Sequence, residues 1–290
     1  TMNLDGSDQR QLTKDARVLS APAVSSSGKR VAFVGMNGSV SQVMAVGVRG
    51  GTPYPLTSST GSKRQPGYSP DGKKLSYIES GRVYIAELSG SNPDPVLPTH
   101  EEMAAAMGSP TGRGSIPLYS TYAWGPDSES LAGVSSQDRL TDALTYLPQP
   151  EGEALQMIPP APGTKVIGIS FAAEKPLLAA SVEIDRQQAV LALDPEQKQR
   201  RPLLVIRDAK IGKPAVSPDG STVVVPVATS AGAAGMVRID MQSGKGAMLA
   251  KGRFADPVFS LDGNMILAAR QDAKTNKRSI VTIDPESGKV

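Results

Sequence analysis

The sequence predicts an all-β fold, a six-bladed β-propeller of four-stranded antiparallel blades, from three observations. A turn-and-strand unit recurs six times, a short apolar run follows each turn, and the composition suits a large folded core. The 290 residues are 39% hydrophobic and include 29 glycines and 24 prolines. That is enough apolar surface for a core and enough punctuation for many short strands.

The six copies read Ala23-Val24-Ser25-Ser26-Ser27-Gly28, Gly67-Tyr68-Ser69-Pro70-Asp71-Gly72, Ala123-Trp124-Gly125-Pro126-Asp127-Ser128, Gly168-Ile169-Ser170-Phe171-Ala172-Ala173, Ala215-Val216-Ser217-Pro218-Asp219-Gly220 and Val258-Phe259-Ser260-Leu261-Asp262-Gly263. Measured at the aspartate position (Ser27, Asp71, Asp127, Ala172, Asp219, Asp262), they are 44, 56, 45, 47 and 43 residues apart, the spacing of propeller blades. Pro-Asp-Gly between apolar runs is turn chemistry: proline presets its own φ, aspartate bonds nearby backbone, and glycine accepts positive φ. Each tetrad should therefore close a hairpin. The following runs, such as Leu75-Ser76-Tyr77-Ile78 and Val223-Val224-Val225, are short and apolar enough to be strands buried on both faces. A third strand alternates in character, as in Val237-Arg238-Ile239-Asp240. A second turn then follows at Gly50-Gly51, Ser89-Gly90, Glu151-Gly152, Asp194-Pro195, Ser243-Gly244 and Ser287-Gly288. The fourth strand is more polar and outermost.

These units make one domain over residues 1–290, with blades at about 21–64, 65–120, 121–165, 166–212, 213–254 and 255–290 plus 1–20. A closed ring must hide its edge strands, so residues 9–13 are expected to supply the outer strand missing after Gly288. Thr1 is not an initiator methionine, and the chain reads as a processed or excised piece. The second repeat carries an insertion between Leu97 and Tyr122; its Glu101-Glu102-Met103-Ala104-Ala105-Ala106-Met107 stretch favours a short helix.

The Ser69-Pro70-Asp71-Gly72-Lys73-Lys74-Leu75 and Ser217-Pro218-Asp219-Gly220 hairpins, with Met2-Asn3-Leu4-Asp5-Gly6-Ser7-Asp8-Gln9-Arg10-Gln11-Leu12-Thr13, resemble the repeats of TolB-type propellers over nearly the whole chain. Similar hairpins occur in the propellers of prolyl peptidases and of bacterial sensors and lipoproteins. The resemblance concerns the propeller portion only. It implies a periplasmic, non-enzymatic scaffold that docks other envelope proteins. The fourth repeat departs from the pattern at Phe171-Ala172-Ala173.

Several chemistries are excluded or disfavoured. Without cysteine there is no disulfide, thiolate nucleophile or cysteine-ligated metal. The only histidine, His100, precedes Glu101-Glu102 without the second histidine of a zinc-protease helix, and reads as a solvated loop residue. No Gly-x-Ser-x-Gly elbow occurs, so no catalytic residues and no cofactor or metal are assigned. Asp71, Asp127, Asp219 and Asp262 occupy one repeated turn position and should serve the turn. Aromatics make up 4% of the chain without basic interleaving, which disfavours nucleic acid; Phe33, Tyr68, Tyr77, Trp124 and Phe259 should pack between blades. No run of about 18 apolar residues appears, so no membrane span is expected.

Charge placement is more informative than the net +3. The interblade segments carry Lys14, Arg17, Lys63, Arg64, Arg113, Lys165, Arg207, Lys210, Lys213, Lys251 and Arg253, against Asp15, Glu101, Glu102, Asp208 and Asp256. In a closed ring these cations would form a positive rim that attracts an acidic protein segment or an anionic ligand; ordinary loop solvation is the plain alternative. Together with what the TolB resemblance implies, the expected protein is a monomeric, periplasmic or extracellular binding scaffold with a protein partner. The rival readings are an enzyme-associated propeller (a peptidase gate or a channel-site hydrolase) and an extracellular sensor domain.

Overall fold

The structure, a computed structural model of the chain, describes residues 1–3, 5–14, 17–88, 93–108, 116–138 and 141–290. Serine and aspartate together organise the recurrent turn. Ser69 Oγ donates to Asp71 Oδ1 at 2.6 Å while accepting the Lys74 N–H at 2.9 Å. Ser217 and Asp219 repeat this pair with the Thr222 N–H, and Ser260 and Asp262 with the Met265 N–H. Gly72, Gly220 and Gly263 stand at φ of +74°, +74° and +72°, where a side chain would be strained, and each donates its N–H back to the serine carbonyl. In the fourth repeat the hairpin closes without these residues, through the Ala172 N–H donating to Leu177 O at 2.9 Å.

The chain divides into two compact units, Thr1–Thr121 and Tyr122–Val290. In the first, β1 (Ala23–Val24), β2 (Arg30–Asn37), β3 (Val40–Gly47) and β4 (Tyr54–Pro55) form one antiparallel meander. A second is formed by β5 (Lys63–Tyr68), β6 (Lys74–Glu79), β7 (Arg82–Glu87) and β8 (Asp94–Leu97). The predicted helix follows as α1 (His100–Met107), opened by a capping box in which Thr99 and Glu102 satisfy each other's backbone N–H. Glu102 also anchors it, accepting from the buried Tyr119 hydroxyl at 2.8 Å.

The second unit begins within β9 (Leu118–Trp124), which lies at the edge of a sheet continued by β10 (Leu131–Asp138), β11 (Thr141–Leu147) and β12 (Leu155–Ile158). Next come β13 (Lys165–Phe171), β14 (Leu178–Ile184), β15 (Gln187–Asp194) and β16 (Gln199–Ile206). In the following sheet the first strand is split into β17 (Ala209–Ile211) and β18 (Ala215–Val216), both paired with β19 (Thr222–Thr229), and then come β20 (Ala234–Asp240) and β21 (Gly246–Lys251). The last sheet contains β22 (Arg253–Phe259), β23 (Ile266–Gln271) and β24 (Arg278–Ile283).

Within each unit, second strands such as β6, β14 and β19 are buried on both faces because neighbouring sheets share a core. Leu144 and Tyr146 pack with Leu178, Ala180 and Val182; Ala179 and Val190 with Val223 and Val225; Val224 and Met236 with Phe254, Ile266 and Ala268. In the first unit Ala32 and Val43 meet Leu75 and Tyr77, and Tyr77 stacks on Tyr84 at 5.5 Å between ring centroids. Phe33 and Tyr77 are therefore core residues.

One expectation is corrected. Among the described residues the last sheet has three strands, and residues 9–13 form no strand. The turn at Asp5 and Gly6 instead folds the chain start on itself, with the Arg10 N–H donating to Thr1 O at 2.8 Å. Leu12 packs against Val31, Phe33, Met44 and Val46 of the first sheet. A nearby apolar face thus holds this segment. Leu4 and the second turn at Ser89-Gly90 lie outside the described residues.

Candidate interaction face

Each sheet begins at an edge strand, and in four of the six sheets this first strand carries a defect. Gln65 and Pro66 stand opposite the single residue Tyr77, Asp256 and Pro257 opposite Ala268, and one extra residue, Ile167, bulges from β13. Residues 212–214, between β17 and β18, do the same. Proline is tolerated there because an edge strand at a bulge needs no ladder N–H. Gln65 and Asp256 adopt left-handed φ of 48° to make the bend. Lys63, Arg64, Lys165, Arg207, Lys210, Lys213, Lys251 and Arg253 lie beside these bulges or on the connections leading to them.

Their environments differ. Lys63 does not belong to an exposed set: its side chain is fully buried, Nζ donates to Ser59 O at 2.7 Å and Gly61 O at 2.9 Å, and it faces Glu79 Oε1 at 3.6 Å. Arg64 is exposed, but its guanidinium donates to Tyr119 O at 2.7 Å. Lys165 is half-buried and paired with Asp142 at 3.6 Å, and Lys213 pairs with Asp256 at 3.4 Å. Lys14 and Arg17 are exposed in the first unit. Arg113 and Asp15 lie outside the described residues.

Four cations of the second unit remain: Arg207, Lys210, Lys251 and Arg253, all exposed, with no carboxylate within ion-pair distance among the described residues. They flank the connections β16–β17 and β21–β22. Both connections are tied to the hairpin between β19 and β20, since the Ser230 N–H donates to Asp208 O at 3.0 Å and the Gly252 N–H to Ala234 O at 3.0 Å. The four charges therefore share one end of two adjoining sheets. Lys210 and Arg253 also line a cleft of about 300 Å³ whose other residues are Ile211, Gly212, Pro226, Val227, Ala228, Ala234 and Phe254.

These apolar wall residues were missed by sequence reasoning. One signal was available, because Pro226 interrupts an apolar central strand, where proline is rare. It is accommodated opposite the break between β17 and β18, and its carbonyl accepts the Gly212 N–H at 2.8 Å.

The turn aspartates serve the turns. Asp71, Asp219 and Asp262 have pKa values held below the usual carboxylate range, chiefly by the Ser69, Ser217 and Ser260 hydroxyls and next by backbone N–H groups. His100 is exposed at the start of α1. Among the described residues no group of three or more His, Asp or Glu is placed to hold a metal ion, and no helix is long and apolar enough to cross a membrane.

No protein-family profile matches the sequence, and none of the curated proteins matches it. Solved structures do resemble it. An oligogalacturonate lyase in complex with manganese superposes with a TM-score of 0.70 at 13% identity, covering 92% of this chain and 74% of the lyase. TolB from Acinetobacter baumannii gives 0.54 at 16% identity, over 90% of this chain and 62% of TolB. A prolyl endopeptidase gives 0.67 at 16% identity, covering 98% of this chain and 44% of the endopeptidase. At such identities the likeness concerns the fold alone, and the fold is a TolB-like propeller.

Proposed function

We propose that the chain is a non-enzymatic binding scaffold of the bacterial envelope, periplasmic or extracellular, and that its six sheets are the blades of one ring spanning residues 1–290. Its binding surface is the end of the sheets where the interblade connections lie, and its partner is an acidic protein segment or another anionic ligand. One observation carries this reading: Arg207, Lys210, Lys251 and Arg253 share one end of two adjoining sheets without carboxylate partners. Cations left unpaired on a common surface focus a field onto a partner of opposite sign. Arg64, Lys14 and Arg17 are exposed cations of the first unit. Lys63 has no part in that surface.

The test uses poly-L-glutamate and the whole chain. Wild-type protein should bind it in a salt-sensitive manner, losing most of its affinity between about 50 mM and about 500 mM salt. The variant Arg207→Glu/Lys210→Glu/Lys251→Glu/Arg253→Glu, with an unchanged circular dichroism spectrum, should bind at least about tenfold more weakly. Equal binding by the two proteins removes the proposal.

A second reading has the likeness to the endopeptidase in its favour, which spans 98% of this chain. In that reading the propeller gates or houses an enzyme. Turnover of a fluorogenic peptide or of oligogalacturonate by the isolated chain would support the version in which the propeller houses the enzyme, and a hydrolase domain elsewhere in the full-length gene would support the gate.

A further inference from the structure

We propose that the cleft between the strands β17 and β19 and the strand β22 is a docking slot for an extended acidic peptide segment. The peptide inserts one apolar side chain between Lys210 and Arg253 and sets carboxylates on both cations. The proposal rests on the binding reading above and names the chemistry of its partner.

The floor of the slot favours an apolar occupant. Several of its backbone polar groups are already engaged: Lys210 and Ile211 pair with Ala228 and Val227, the Gly212 N–H donates to Pro226 O, and Ala234 O accepts the Gly252 N–H. The side chains that line it are apolar: the exposed Ala228 and the half-buried Ala234, with Ile211, Pro226, Val227 and Phe254, which are already largely buried. A polar group inserted there would find no partner and would be desolvated at a cost, whereas an apolar one gains from burial. A volume of about 300 Å³ lies at the small end of ligand sites, suiting one side chain better than a whole cofactor.

The rim favours carboxylates. Lys210, on β17, and Arg253, on β22, both line the cleft, with Arg207 and Lys251 close to them in the chain. Of the nearby acids, Asp256 is engaged by Lys213 at 3.4 Å, and no acid lies within ion-pair distance of the four cations among the described residues. Arginine binds a carboxylate through two parallel N–H groups, and a binding hot spot pairs buried aromatic or arginine anchors with surrounding contacts that exclude water. A polyphosphate or a lipid headgroup would use the cations and leave the apolar floor uncovered, so the combination selects a peptide.

The experiment compares two fluorescein-labelled peptides, Glu-Asp-Phe-Asp-Glu and Glu-Asp-Ser-Asp-Glu, by anisotropy on the whole chain. The phenylalanine peptide should bind about tenfold or more tightly than the serine peptide, the gain from burying one aromatic side chain. Ala228→Trp, at an exposed strand end, should plug the slot and erase that preference while poly-L-glutamate still binds. Lys210→Glu/Arg253→Glu should weaken both peptides. Equal affinity of the two peptides for wild-type protein, or a preference that survives Ala228→Trp, overturns the slot but leaves the acidic-partner reading standing if poly-L-glutamate binds. Failure of all three probes overturns both. Binding to phosphatidylglycerol vesicles in a sedimentation assay, with neither peptide bound, would identify a membrane surface as the occupant and also overturn the slot.

Discussion

Ser130 Oγ occupies the space that a serine side chain at position 125 would need, and a Cβ on Gly125 would collide with it. The third repeat has thus moved its serine to the far side of the turn, where Ser130 donates to Asp127 Oδ1 at 2.9 Å. The turn needs a hydroxyl on the aspartate more than it needs a particular position for it. That requirement predicts a pH dependence. In the folded chain Asp71, Asp219 and Asp262 lose their protons more readily than an ordinary carboxylate, the hydroxyl bonds from Ser69, Ser217 and Ser260 being the first cause. A lowered folded-state pKa gives stability that is present above the unfolded value of about 3.9 and is lost as pH falls through the folded-state pKa. The variant Ser69→Ala/Ser217→Ala/Ser260→Ala brings those values back toward normal. Urea unfolding should therefore show it less stable than wild type near pH 7, with the gap narrowing below about pH 4. A gap that is constant with pH contradicts this account.

Between elements, side chains tie one sheet to the next. The second residue of the third strand accepts a backbone N–H from the start of the following sheet in three places. Ser41 takes it from Lys63 at 3.2 Å, Asp142 from Val166 at 2.9 Å, and Gln188 from Ile211 at 2.6 Å. These bonds satisfy edge-strand donors that no neighbouring strand reaches. Around Lys63 the tie becomes a network: Gln42 donates to Ser59 O, and the Ser59 hydroxyl donates to Glu79. Lys63→Met leaves the Glu79 carboxylate buried without its cation and should destabilise the protein by about 3–5 kcal/mol, whereas Lys63→Met/Glu79→Leu should recover most of that loss. Chemical denaturation of the single and double variants checks this, and a mild effect of the single change would argue against a buried pair.

At the scale of the molecule, stability should follow depth within each sheet. Tyr77, Ile78, Ala179, Ala180, Val223, Val224 and Val225 are all 0% exposed on second strands, so their amides should exchange hydrogen most slowly. The strand β24 is an outer edge with Ile280 at 62% exposure, and residues 1–13 bond mainly among themselves. Both should exchange fast, as mass spectrometry after deuterium labelling would show. Comparable protection of β24 and β19 would mean that a further strand covers that edge. Meanwhile Arg278, beside Lys274 and Lys277, places charge on the open edge, a common guard against pairing with other chains.

Turns, strand order and the buried second strands were legible because each depends on neighbours within a few dozen residues: a serine, an aspartate and a glycine in sequence, then an apolar run. Sharing of cations among solvent, ion pairs and the interior was not legible. Lys63 and Lys210 have the same charge and similar places in their repeats, yet Glu79 and two carbonyls enclose the first and nothing encloses the second. The slot has the same origin: Pro226 and Phe254 come from different sheets, and a cleft between sheets exists only once their cores have met. Local chain chemistry was sufficient for the repeating unit, because its bonds are short in sequence. Packing between units decided which charges face outward and what lies between them, because those contacts join residues that the linear order keeps apart.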